Sequence, residues 1–190
     1  MNEKIIAKLP GEEKLYKSIN FIPNKHQYNF DVDALFTEEY LSEQNPSGCL
    51  PHKLRLKVNT IVMLIRNINT TIGLCNGTRM IIEEMKNESL KCRVLTGRMK
   101  DKIVFIGKMS ITPSDTNMTI PFTRRQFPII PSFAITINKS QGQTFNYVGV
   151  DLSRNVFSHG QLYVACSRCK TYQTLKFQVP LVEKMIKRIK

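Results

Sequence analysis

Apolar residues near the N-terminus recur with helical spacing, and a helix-ending dipeptide follows them: Ile5, Ile6, Leu9 and then Pro10-Gly11. This pattern predicts a short first helix. Residues 21–53 show no regular period, apart from one short amphipathic stretch that Asp31 can cap.

Between residues 54 and 122 the period changes to two, which indicates β-strands. Alternating or apolar stretches lie at 54–58, 60–65, 72–75, 79–82, 90–94 and 103–106. Asn76-Gly77 separates two of them and is typical of a tight turn. Several short strands joined by turns predict a small antiparallel β-barrel over about residues 54–122.

From residue 127 the pattern changes again. It predicts, in order, a buried strand over 133–137, a polar loop over 138–144, a strand over 147–150, a helix that Ser158 can cap and that runs to about Arg168, and a strand over 174–179. The order β-loop-β-α-β is typical of a parallel α/β layer. Residues 182–190 form a basic amphipathic helix or a frayed tail. The sequence therefore predicts an α/β fold class with an inserted small antiparallel β-barrel.

Charge restricts the partners of the chain. The 190 residues have a formal net charge of +13, and residues 98–190 hold 15 basic and 4 acidic side chains. Such a field indicates nucleic acid, nucleotide phosphates or an anionic membrane surface, and nucleic acid is favoured over a merely solvated basic surface. No apolar run approaches the roughly 20 residues of a membrane span, so no membrane contact is expected.

Five cysteines at irregular spacing and no signal peptide indicate free thiols in a reducing compartment. Cys166 and Cys169 form a lone CxxC with no second pair and no histidines at ligand spacing. No metal site is expected.

The polar loop over 136–144 is the first candidate for chemistry. It combines hydroxyls, amides, one lysine and a glycine between two hydrophobic strands. Such a loop can donate hydrogen bonds to phosphate oxygens, and Gly142 allows close approach of the backbone. The alternative is a polar surface turn.

Arg168 is the second candidate. An arginine at the end of an apolar helix can simply interact favourably with the helix dipole. It can also be held toward a phosphate, because its charge is permanent and its fork matches phosphate geometry.

These stretches resemble the last two motifs of superfamily 1 DNA helicases of the Pif type and the similar Helitron type. The resemblance rests on residues 135–144 and 159–168, and it extends upstream through 45–48, 51–58, 63–67, 73–79 and 124–128. Asn59 replaces the usual glycine, and asparagine is the next most tolerant residue of a left-handed turn. Cys169 replaces a usual aliphatic residue, which also argues against a metal.

The resemblance implies a RecA-like second motor domain with an inserted barrel. It implies a domain division of 1–46, 47–126 and 127–190. It also implies a helicase that moves 5′ to 3′ on single-stranded DNA with ATP and Mg²⁺. By the resemblance, Arg168 reaches the γ-phosphate, Gln141 and Gly142 lie near ATP, and the DNA backbone is contacted by Thr136, Asn138, Lys139 and Ser140. The location implied is the nucleus, for a host, transposon or viral protein.

The sequence contains no GxxxxGK[ST] loop and no acidic pair after an apolar strand in the Walker B manner. We therefore expect a C-terminal helicase part that needs a first motor domain, in cis or in trans, to hydrolyse ATP. A motor-less single-stranded nucleic-acid-binding module is the alternative. A third possibility, a regulatory subunit that supplies Arg168 to another motor, has no feature in its favour.

Overall fold

The computed structural model describes residues 1–46, 48–113, 121–153 and 158–179. The chain divides into two compact units, Met1–Ala134 and Ile135–Lys190. Ser47 and the predicted tail over 182–190 lie outside the described residues, and the three-part domain division stays a prediction. Within the described residues, no helix is long and apolar enough to cross a membrane.

The first unit begins with the predicted helix, α1 (Asn2–Lys8), which buries Ile6. The side chain of Asn2 binds the last residues of the same unit. Its Nδ2 donates to the carbonyls of Pro131 (3.1 Å) and Ala134 (2.8 Å), and its Oδ1 accepts from the amide of Ala134 at 2.7 Å. The beginning and the end of this unit are therefore joined by three hydrogen bonds.

Two short helices follow in the irregular region, α2 (Val32–Leu35) and α3 (Glu38–Glu43). Asp31 Oδ1 accepts from the amide of Ala34 at 3.3 Å, which confirms the predicted cap. These helices pack on a small core made of Ile22, Val32, Leu41 and Phe122.

The described residues of this unit contain ten strands: β1 (Lys14–Lys17), β2 (Ile19–Phe21), β3 (Lys53–Leu56), β4 (Ile61–Leu64), β5 (Arg79–Met85), β6 (Ser89–Val94), β7 (Ile103–Gly107), β8 (Met109–Ile111), β9 (Thr123–Gln126) and β10 (Ile129–Pro131). They pair as β1-β3, as β2-β9-β8 and as a five-stranded sheet in the order β10-β4-β5-β6-β7. All pairings among these ten described strands are antiparallel.

The five-stranded sheet is open. Its edges are β10 and β7, and among the described strands no ladder joins these two edges. The expected closed barrel is therefore not formed by the described residues. A period of two determines which face of a strand is buried, but closure depends on tilt and register, which that pattern does not contain.

The alternating residues of this sheet build the main core. β5 buries Met80 and Ile82, and β6 buries Leu90 and Cys92, all with no solvent exposure. Burying each such apolar side chain contributes roughly 1.5–3 kcal/mol. Burial in the core raises the pKa of the Cys92 thiol to about 12.

Arg124 and Gln126, two polar side chains of β9, are completely buried. Arg124 donates through Nε to Asn20 Oδ1 (2.7 Å) and through its two terminal nitrogens to the carbonyls of Leu50 (3.0 Å) and Leu41 (2.6 Å). Each of its three nitrogens therefore has an acceptor, which a buried charge requires. Desolvation lowers the pKa of this guanidinium.

Asn59 has a positive φ of 68°, as the substitution for glycine predicts. Its amide donates to the carbonyl of Ile82 at 2.8 Å. The predicted turn at Asn76-Gly77 directly precedes β5, with Gly77 at φ 91°. The stretch before it is not a strand, since only an isolated bridge between Asn69 and Leu74 forms there.

The second unit contains β11 (Val148–Asp151), α4 (Gln161–Cys166) and β12 (Leu175–Gln178). β11 and β12 are parallel, with Val148 opposite Leu175, and α4 lies in the connection between them. This is the βαβ arrangement of an α/β layer and confirms that part of the fold class.

Two predictions for this part of the chain are wrong. Residues 133–137 form no strand, because β10 ends at Pro131 and a turn leads into a 3₁₀-helix at Asn138–Ser140. α4 begins at Gln161 rather than at Ser158. Its N-cap is Gly160 at φ 82°, a left-handed conformation that glycine adopts at no steric cost.

Candidate functional site

The loop over 136–144 is folded rather than extended. Asn138–Ser140 form one 3₁₀ turn, in which the amide of Ser140 donates to the carbonyls of Thr136 (3.2 Å) and Ile137 (3.0 Å). The hydroxyl of Ser140 donates to the same Ile137 carbonyl at 2.6 Å, and Ser140 is buried. This side chain therefore stabilises the loop from the inside.

A type II β-turn follows at Ser140–Gln143. Gln141 has φ −57° and ψ 136°, Gly142 has φ 73°, and the amide of Gln143 donates to the carbonyl of Ser140 at 3.0 Å. A type II turn requires a positive φ at its third residue, which favours glycine. A Cβ at Gly142 would meet no atom within 4 Å, so the requirement is conformational and not steric.

Five side chains of the loop are exposed to solvent: Thr136, Asn138, Lys139, Gln141 and Thr144. Gln143 links the end of the type II turn to the preceding 3₁₀ turn, because its Nε2 donates to the carbonyl of Lys139 at 2.9 Å. One ammonium group, two amides and two hydroxyls are thus exposed on a loop whose backbone is fixed by its own hydrogen bonds. This is a combination that suits phosphate oxygens.

Arg168 follows the C-terminal end of α4 and is half-buried. Its Nε donates to the carbonyl of Val164 at 3.0 Å, and one terminal nitrogen donates to Ser167 Oγ at 2.9 Å. The other terminal nitrogen donates to the carbonyl of Gln143 at 3.2 Å. The guanidinium therefore interacts with the negative end of the helix and with the loop over 136–144 at once.

The two candidate motifs are joined a second time through the main chain. The amide of Phe145 donates to the carbonyl of Arg168 at 2.8 Å, and Phe145 forms a parallel bridge with Cys169. A displacement of Arg168 would therefore act directly on the C-terminal end of the loop. The structure brings together residues that are about 25 positions apart in sequence.

The electrostatic field of the second unit has one dominant sign. Its described cations are Lys139, Arg168, Lys170 and Lys176, while Asp151 is the one acidic side chain among its described residues. The amide of Ser153 donates to Asp151 and lowers the pKa of that carboxyl group, which therefore stays ionised and exposed. Four cations against one carboxylate leave the described part of this unit with a net positive charge, which favours anions.

Within the described parts of the chain, no cluster of three or more histidine, cysteine or acidic side chains could hold a metal ion. The CxxC cysteines are free thiols, and the Cys169 sulfur lies 3.0 Å from Thr174 Oγ1 and 3.7 Å from the carbonyl of Asn146. Cys169 therefore has a structural contact with the turn before β12.

Sequence reasoning missed the two residues that connect the motifs, Gln143 and Phe145. Their contributions are a main-chain carbonyl and a main-chain amide, which carry no side-chain signature. The predicted roles of Thr136, Asn138, Lys139, Ser140, Gln141, Gly142 and Arg168 toward DNA and ATP stay predictions at this point.

Comparison with known proteins finds similarity to Pif1 DNA helicases. Residues 39–85 match the family model described as "DNA helicase Pif1, 2B domain". The chain is 32% identical over 178 residues to the ATP-dependent DNA helicase PIF1 of Danio rerio, an alignment that covers 92% of the chain and 25% of that protein. The chain therefore spans about a quarter of the length of the curated relatives it matches.

Solved structures of Pif1 helicases also align with the chain. The crystal structure of Pif1 helicase from Candida albicans aligns with a TM-score of 0.65 at 26% identity, over 93% of this chain and 41% of that one. The crystal structure of Bacteroides Pif1 bound to ssDNA aligns with a TM-score of 0.62 at 26% identity, over 92% of this chain and 37% of that one.

Proposed function

Because this chain aligns with a C-terminal part of Pif1 helicases, we propose that it supplies the DNA-backbone loop and the γ-phosphate arginine of an ATP-dependent helicase. The observation that carries the proposal is the hydrogen bond from Arg168 to the carbonyl of Gln143 at 3.2 Å. This bond couples a group suited to a nucleotide phosphate with a loop suited to a DNA backbone.

On the DNA side, Lys139 provides the charge, and Thr136 and Asn138 provide neutral hydrogen-bonding groups. All three are exposed on the fixed turn. A protein that translocates needs backbone contacts that are independent of sequence, and these residue types make such contacts. Ser140 acts by holding the turn, since its hydroxyl is already bonded to Ile137.

On the nucleotide side, Gln141 and Gly142 lie at the exposed tip of the turn, and Arg168 lies at its base. ATP and Mg²⁺ would be held by a first motor domain, in cis or in trans, because this chain contains no phosphate-cradling GxxxxGK[ST] loop. When Arg168 reaches toward the γ-phosphate, it exchanges its bond to Gln143 for bonds to phosphate oxygens. That exchange would remove the side-chain link to the loop, whose C-terminal end stays held by the main-chain bond from Phe145 to Arg168.

The finer assignments rest on the resemblance. They are movement in the 5′ to 3′ direction, a role in DNA repair, recombination, telomere maintenance or transposition, and action in the nucleus for a host, transposon or viral protein. The β-rich part of the first unit, which includes the residues matched to the 2B domain, would be the insert of this second motor domain.

Single-stranded DNA binding tests the first half of the proposal. We expect Lys139→Ala to weaken binding of fluorescein-labelled (dT)15 by about three- to tenfold, because one charge-assisted phosphate contact is lost. Lys176→Ala, which removes an exposed lysine of the same unit, is the matched control and should leave affinity within twofold. Equal affinity of both variants would contradict the DNA role of the loop.

Nucleotide turnover tests the second half. The chain alone should show no DNA-stimulated ATPase activity, whereas addition of a purified Pif1-type first motor domain should produce it. Arg168→Ala should abolish the restored activity, by a factor of about 10³ or more, and leave (dT)15 binding nearly unchanged. Restored turnover that survives Arg168→Ala would contradict the assignment.

A motor-less single-stranded nucleic-acid-binding module is the second candidate, and the balance of +11 over residues 98–190 favours it. Intact (dT)15 binding combined with failure of any motor domain to restore ATPase activity would support this module over the helicase part.

A further inference from the structure

The outer face of the β1–β2 segment in the first unit is unusual for a solvent-facing surface. Along residues 14–21 the odd-numbered positions are exposed, and three of them are large apolar side chains: Leu15, Ile19 and Phe21, with 40%, 56% and 42% exposure. They lie on one face because the side-chain period of a strand is two. The fourth member of this row is Lys17.

The neighbouring strands place cations beside this apolar row. Arg55 lies opposite Leu15, Lys53 opposite Lys17, and Arg125 opposite Ile19. Residues directly opposite one another in antiparallel strands project from the same face. Exposed cations on two different strands, β3 and β9, therefore flank the row of exposed apolar groups. We call this surface the ribbon face.

Lys17 and Lys53 are two like charges at directly opposite positions of the β1–β3 ladder. Like charges directly opposite each other in an antiparallel ladder are destabilising. Arg55 is compensated by Glu13 at 2.8 Å and Arg125 by Glu88 at 3.2 Å. Among the described residues, neither Lys17 nor Lys53 has an ion-pair partner. The fold alone does not account for two uncompensated ammonium groups at this position.

The pKa of the neighbouring His52 responds to the charges around the ribbon face. His52 is hydrogen-bonded through Nδ1 to Ser18 Oγ at 2.8 Å, and burial, then Arg124, then Lys53 lower its pKa. Glu38 acts in the opposite direction, and Lys17 makes a smaller contribution that lowers this pKa. The ribbon face is therefore a positively charged surface on which an anion would relieve repulsion.

We propose that the ribbon face is a second binding site for single-stranded DNA, with phosphates on Lys17 and Lys53 and bases against Ile19 and Phe21. Cations next to a row of apolar groups suit a chain that offers both phosphates and bases. Successive exposed positions on a strand are roughly 6.8 Å apart, so several nucleotides can follow the row. This site lies in the first unit, and its residues are distinct from the loop over 136–144.

Lys53→Glu separates function from fold. It places a carboxylate opposite Lys17, so the thermal midpoint should rise or stay constant while (dT)15 affinity falls about tenfold. The slope of log Kobs against log salt should become shallower by about 0.7–1.4, since one or two phosphate contacts are lost. Lys102→Glu, at an exposed lysine of the same unit, changes the net charge equally and should leave affinity within twofold.

Phe21→Ala tests the apolar row and should weaken (dT)15 binding by at least about fivefold with no change in the salt slope. Circular dichroism should show that each variant is folded. If Lys53→Glu does not fold, Lys53→Gln replaces it in the test, because this substitution only removes the repulsion.

The outcomes are distinguishable from those of the loop. Sensitivity to Lys53→Glu with indifference to Lys139→Ala supports the ribbon face and contradicts the loop assignment, and the reverse result overturns the ribbon face. Equal effects of Lys53→Glu and Lys102→Glu also overturn it. The proposal is also overturned if an alternating Glu-Leu peptide binds tightly and depends on Lys53, while Lys53→Glu leaves (dT)15 binding unchanged. The surface would then fit an acidic polypeptide.

Discussion

At the scale of single residues, backbone conformation and hydrogen bonding decide what each side chain can do. Ser140 and Lys139 are neighbours in the candidate loop, yet one is buried on a main-chain carbonyl and the other is exposed. The helicase resemblance implies that both side chains contact the DNA backbone. The difference arises from the 3₁₀ turn, in which adjacent side chains point in different directions.

Gly142→Ala should strain the loop. Its φ of 73° costs a residue with a Cβ about 1–2 kcal/mol, and open space around the position allows no other effect. We expect weaker (dT)15 binding of about threefold or more, measured by fluorescence anisotropy. Gly149→Ala is the matched control, since it also has open space but no positive φ. Similar losses from both substitutions would argue against the turn geometry.

Tyr16 makes the stability of the first unit sensitive to alkaline pH. Its hydroxyl donates to the carbonyl of Lys86 at 2.7 Å, and burial raises its pKa to about 12. The folded pKa lies above the unfolded value of about 10, so the contribution to stability is complete below pH 10 and is lost between pH 10 and pH 12.

Urea unfolding of the wild type and of Tyr16→Phe between pH 8 and pH 11.5 measures this contribution. The difference in unfolding free energy between the two proteins should be constant up to about pH 10 and should shrink above it. A difference that does not change with pH would show that the hydroxyl is not held neutral.

At the scale of elements, the alternation of residues predicts buried faces well and strand ends poorly. The pattern over 54–65 and 79–94 predicts β3 to β6, because each strand has a fully buried face. The wrong strand at 133–137 has a clear cause. A short apolar run can be satisfied by a turn as easily as by a ladder, and pairing partners are not visible in a local pattern.

The same alternation predicts an energetic contrast along the sheet. Ile82 on β5 has no exposure, whereas Ile103 on β7 is 42% exposed. We expect Ile82→Ala to lower the unfolding free energy by about 2–4 kcal/mol and Ile103→Ala by less than about 1 kcal/mol. Chemical denaturation of both variants checks this, and comparable losses would contradict the assignment of faces.

At the scale of the whole molecule, charge and connectivity are the features that sequence predicts best. The uneven charge indicates a polyanionic partner, and the order of motifs indicates the helicase resemblance that the comparisons support. Closure of the sheet could not be predicted, since tilt and stagger depend on all strands together. The link between Arg168 and Gln143 was equally invisible, because one of its partners is a main-chain atom.

Binding of single-stranded DNA by the intact chain should depend steeply on salt. With three or more phosphates contacted, log Kobs should fall against log salt with a slope of about −2 or steeper. Titrations of (dT)15 between 50 and 300 mM NaCl measure this slope. A flat response would mean that the basic excess is only a solvated surface.

The three hydrogen bonds between Asn2 and the stretch from Pro131 to Ala134 have a topological consequence for the first unit. Residues 2 and 134 of this unit are therefore adjacent, so a direct link between them would cost little loop-closure entropy. The same adjacency makes it a candidate for circular permutation, with residue 134 linked to residue 2 by a short glycine-rich bridge and new termini opened in the exposed turn between β6 and β7.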